Sequence, residues 1–114
     1  MLLCSTSINA VQHNPTEVIY ASSKDITHCL ATNLYQTNGY TMDMEGVDIH
    51  GINKEFTVHY PNSSRIAGIF WITKSIFGSP ERTVGMYNVN EQLLPDFVQA
   101  MHQCAKRLSE ESHL

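Results

Sequence analysis

The spacing of apolar residues divides the chain into short strands and two amphipathic helices. The longest apolar run is Ile66-Ala-Gly-Ile-Phe-Trp-Ile-Thr73, and it holds the only tryptophan, Trp71. Read as a strand, it points Ile66, Gly68, Phe70 and Ile72 one way, and Ala67, Ile69, Trp71 and Thr73 the other. Both faces are apolar, which predicts a central strand covered by helices on one face and partly buried on the other. β-Branched and aromatic residues dominate the run, and Gly68 suits a helix interior poorly, so a helix is the weaker reading.

Other segments alternate in the same way. Glu17–Ala21 reads as a first strand. Tyr40–Glu45 sends Tyr40, Met42 and Met44 inward, with Val47 and Ile49 prolonging it. Lys54–Tyr60 sends Phe56, Val58 and Tyr60 inward, and Thr83–Val89 is the last strand. Asn14-Pro15, Gly51-Ile-Asn53, Pro61-Asn-Ser-Ser64 and Gly78-Ser-Pro80 mark the turns. Residues 1–14 read either as a mobile lead-in or as an edge strand at Ile8–Val11.

Two stretches switch to a helical period. The first starts at a serine cap, Ser22 or Ser23, with Asp25 in its first turn. It carries Ile26, Cys29, Leu30 and Leu34 on one stripe, turns Thr27, Thr32 and Gln36 outward, and stops at Asn38-Gly39. The second begins near Leu94, with Pro95 in its first turn. Its stripe is Phe97, Val98, Met101, Cys104, Ala105 and Leu108, and residues 109–114 should fray.

The order is therefore β-α-β-β-β-β-α. Short turns between successive strands predict an antiparallel sheet of four to six strands. Two single-striped helices must cover one face of it, giving an α+β two-layer sandwich in one domain over residues 1–114. The other face mixes Thr57 and His59 with Ile69 and Trp71, an apolar centre that is either covered, by the N-terminal segment or by a second subunit, or simply left with an exposed tryptophan.

Composition trims the function classes. Apolar residues make up 42% and charged ones 16%, which is globular with a neutral polar surface. The net charge is −4 and the Lys and Arg residues are scattered, so nothing resembles a nucleic-acid surface. No run approaches a membrane span of ~20 residues. The start, Met1-Leu-Leu-Cys4, resembles the end of a bacterial lipoprotein signal, with Ser5-Thr6-Ser7 as a tether. The basic and apolar regions that precede such a cysteine are missing. As given, the chain reads as cytoplasmic. If its start is misassigned, it reads as a periplasmic or outer-membrane lipoprotein anchored at Cys4.

The chemistry-bearing residues give few constellations. Cys29 and Cys104 lie on the inward stripes of the two helices, so helices packed side by side could join them. They are then a disulfide in an oxidising compartment, or two small buried hydrophobes in a reducing one. The histidine and cysteine spacings do not converge on one face of a helix, so no metal is expected. No nucleophile elbow or phosphate loop is present, no cofactor is implied, and an enzyme is the less favoured class. Three readings follow. The first is a non-enzymatic binding or assembly module that presents Ile69, Trp71 and Phe77 to a second copy or a protein partner. The second is a small-molecule binder or enzyme with a pocket between the C-terminal helix and the sheet, lined by Met42, Met44, Phe70 and Met101. The third is an exported lipoprotein with a structural disulfide.

Overall fold

The computed structural model describes residues 14–111. Cys4 and the edge strand considered at Ile8–Val11 lie outside the described residues. The elements are β1 (Glu17–Tyr20), α1 (Ser23–Asn38), β2 (Thr41–Met42), β3 (Val47–Ile49), β4 (Asn53–His59), β5 (Ile66–Thr73), β6 (Glu81–Tyr87) and α2 (Leu94–Glu111). All strand pairs are antiparallel, in the order β1-β6-β5-β4, with β2 and β3 both on the outer side of β4. The tryptophan-bearing strand, β5, is the centre of the sheet. Both helices cover one face, so this is the expected α+β fold.

Local chemistry starts and stops the helices. The Ser22 hydroxyl accepts from the Asp25 N–H at 3.1 Å, and the Gly39 N–H donates to the Tyr35 carbonyl at 2.8 Å. Asn90 caps the short 3-10 turn Glu91–Leu93 that leads into α2, accepting from the Gln92 N–H at 3.0 Å. The Asn38 amide donates to Asp96 Oδ2 at 2.7 Å, placing the end of α1 beside the start of α2. The helices therefore run antiparallel. Further along, Cys29 of α1 and Cys104 of α2 form a disulfide that spans 75 residues of sequence. In the chain-entropy account, a crosslink over a loop of that size contributes roughly 4 kcal/mol by restricting the unfolded chain.

The core lies between the helices and the sheet. Phe97 stacks on Phe70 with ring centroids 5.1 Å apart and planes 17° apart, and Ile72, Met101 and Cys104 are wholly buried beside them. Burying each large side chain here stabilises by roughly 2 kcal/mol. Of the residues that the sequence suggested as a pocket lining, Met42, Phe70 and Met101 are buried in this core and Met44 is not.

Three details differ from the strand and helix patterns. Met44 is 46% exposed rather than inward. The edge pairs Met42 with Val58 and Val47 with Glu55, so residues 43–46 lie against only Phe56 and Thr57. Gly46, at φ +72°, occupies the place over Phe56; a Cβ there would sit 2.6 Å from the ring. Met44 is displaced to a surface groove with Ser23, Lys24, Thr27, Lys54 and Phe56. In β5 the register shifts after the Val58–Gly68 pair, and His59 then faces Ile66. That bulge turns Ala67 into the core and leaves Ile66 57% exposed. Finally, Thr27 is buried, its hydroxyl satisfied by the Lys24 carbonyl at 3.0 Å. Among the described residues, no helix is long and apolar enough to cross a membrane.

Candidate functional site

The sheet face turned away from the helices is built by three central strands. Across it, Glu55 pairs with Trp71 and Trp71 with Gly85, while Thr57 pairs with Ile69 and Ile69 with Tyr87. Trp71 lies flat over Gly85, where any β-carbon would collide with the indole. The Tyr87 hydroxyl donates to Glu55 Oε1 at 2.5 Å, passing over β5 between Ile69 and Trp71. The Glu55 carboxylate, helped by desolvation, holds the Tyr87 phenol above its ordinary pKa of 10.0. Ile69 and Trp71 are half-buried. Toward the β1 edge, Val18 and Tyr20 are 47% and 58% exposed. The result is a platform with an aromatic centre and a hydrogen-bonded carboxylate, with Asp43 and Glu45 lining a groove beside Glu55 and Thr57 and with Glu81 opposite Tyr20 at the β1 edge.

Of the residues the sequence singled out, only Ile69 and Trp71 share this platform. Phe77 is fully exposed at the tip of the β5–β6 hairpin, beyond Thr73 and Thr83, with a left-handed backbone at φ +56°. Met42 and Met101 are in the core, and Met44 is at the opposite edge. Tyr87, Glu55 and Gly85 were not singled out. The alternation in Thr83–Val89 already put Thr83, Gly85 and Tyr87 on one face, and a glycine in mid-strand signals a close approach.

A second cluster joins two chain reversals. His59 Nε2 faces Asp43 Oδ2 at 3.2 Å, and its Nδ1 faces the Ser64 carbonyl at 3.2 Å. Both partners only accept, so the ring satisfies both when doubly protonated. The Asp43 hydrogen bond first, and the Ser64 carbonyl after it, raise the His59 pKa against the opposing effect of burial. His102 pairs with Glu17, tying α2 to β1, while His28 and His50 are exposed. Among the described residues, no group of three His, Cys, Asp or Glu side chains could hold a metal ion.

No family model matches this chain, and no characterised protein or solved structure matches it either.

Proposed function

We propose that the chain is a small binding and assembly module that meets a second copy of itself through the open face of its sheet. The observation that carries this reading is the apolar centre, Trp71 over Gly85 with Ile69 and Tyr87, on a face that no described element covers. A two-fold interface sets each patch against its own copy, and an apolar centre is self-complementary in that arrangement. The Glu55 carboxylate at its border is held by Tyr87, and the other carboxylates of this face, Asp43, Glu45 and Glu81, lie toward its edges. In light scattering at tens of micromolar, the wild-type chain should behave as a dimer. Trp71→Asp should be a folded monomer, because it sets an unpaired carboxylate at the centre of the contact. A wild-type monomer under these conditions removes the reading.

A second reading concerns compartment, and the Cys29–Cys104 disulfide favours it. We propose that the domain works where thiols are oxidised, as an exported protein does. Titration of denatured, unreduced protein should find one free thiol among the three cysteines, that of Cys4. Three free thiols would exclude the bridge and, with it, the argument for export.

A further inference from the structure

We infer that self-association through the open sheet face is strengthened by acid, with protonation of His59 beside Asp43 as the switch. This rests on the dimer proposed above and names what regulates it. The face turned from the helices is bordered by carboxylates: Glu55 on β4, Glu81 on β6, and Asp43 and Glu45 along the groove beside Glu55 and Thr57. None of the seven Lys and Arg residues of the chain stands on that face to offset them. Lys54 and Arg82 alternate in phase with the buried Phe56 and Val84, onto the helix side. Lys74 pairs with Asp48 at 2.9 Å, Arg65 lies over the Tyr60 ring at 4.5 Å, and Lys24, Lys106 and Arg107 belong to the helices. A two-fold contact through the apolar centre therefore brings two acidic borders together with no Lys or Arg between them, and like charges oppose the contact.

The group placed to relieve that opposition is His59, just beyond the border. An imidazole gains its charge in a pH range where carboxylates stay ionised. Its Nε2 faces Asp43 Oδ2 and its Nδ1 faces the Ser64 carbonyl, each at 3.2 Å, and two acceptors suit the doubly protonated ring. The charged groups around it are Asp43 from the β2–β3 connection, Glu45 and Glu55 further along the groove, and Arg65 at the entry to β5, which lies over Tyr60. The other described histidines stand elsewhere: His28 and His102 on the helices and His50 in the β3–β4 turn. A second acidic border brought up by the partner copy favours the charged ring further, so association raises the His59 pKa and takes up protons. A group with a higher pKa in the dimer stabilises the dimer. That gain is complete below the monomer pKa and is lost as pH rises through the dimer pKa.

Sedimentation equilibrium of the full chain at about pH 8.5 and about pH 5.5 tests the inference. The dimer dissociation constant of the wild type should fall about tenfold toward the lower pH. His59→Gln keeps a neutral hydrogen-bonding side chain and should lose most of that fall. The double variant Glu45→Gln, Glu81→Gln alters two exposed positions and should tighten the dimer at about pH 8.5. Circular dichroism on the same samples shows that each variant is folded. A wild-type dimer whose constant stays level, or rises toward the lower pH, overturns the inference and leaves the dimer standing. So does a pH response that His59→Gln keeps in full, or a double variant that binds no tighter. A wild-type chain that is monomeric at both pH values removes the dimer and this inference together.

Discussion

The two faces of the sheet share a backbone and differ in what closes them. On the helix side, Phe56, Phe70, Ile72, Val84 and Met86 are buried by residues remote in sequence, most directly by Phe97 stacked on Phe70. On the other side, Thr57, Ile69, Trp71, Thr73 and Tyr87 alternate with them along the same strands and stay partly wet. The inner face is closed by volume: side chains interdigitate, and a disulfide locks the helices above them. Among the described residues, the outer face is closed by its own side chains, Trp71 lying on Gly85 and Tyr87 reaching Glu55. Neighbouring residues of one strand therefore do different work. Phe70 holds the fold together, and Trp71 stays half-exposed.

The adjacent pair Phe70 and Trp71 gives the sharpest test. Phe70→Ala opens a cavity under Phe97 and should cost about 3–5 kcal/mol in urea unfolding. Trp71→Ala empties no closed space, so its cost in the same assay should be nearer 1 kcal/mol. Equal losses would break the distinction between the faces. The smallest effect should come from His59, outside both faces. Its folded pKa is raised above the ordinary 6.5, so its stabilisation is fully present below that value and is lost as pH rises through the folded pKa. Asp43 is well exposed, and solvent screening keeps the effect small. The stability advantage of wild type over His59→Gln should be larger at about pH 5.5 than at about pH 8.5. A constant difference would mean that the ring acts only as a neutral hydrogen-bonding group.

The sequence made the central strand legible because β5 is apolar on both faces and too short for a helix. The helix ends were legible because Ser22, Gly39 and Pro95 act locally. The site was legible only in part. Trp71 and Ile69 stood out by hydrophobicity, but Tyr87 and Glu55 acquire their relation through strands that meet only in the folded sheet. Phe77 could be read toward the core or toward a partner from sequence alone. Its exposure depends on a hairpin whose hydrogen bonds run from Ser75 to Arg82.

Alternation of side chains along a strand is a local rule, so the chain by itself determined the element order, the fold class and the inward stripe of each helix. Register and bulges are collective properties, set when strands of distant sequence pair, and only the tertiary structure decided them. That is why Met44 lies at the surface while Gly46 sits over Phe56. It is also why Ala67 is inside and Ile66 outside, and why Cys29 reaches Cys104 across two helices.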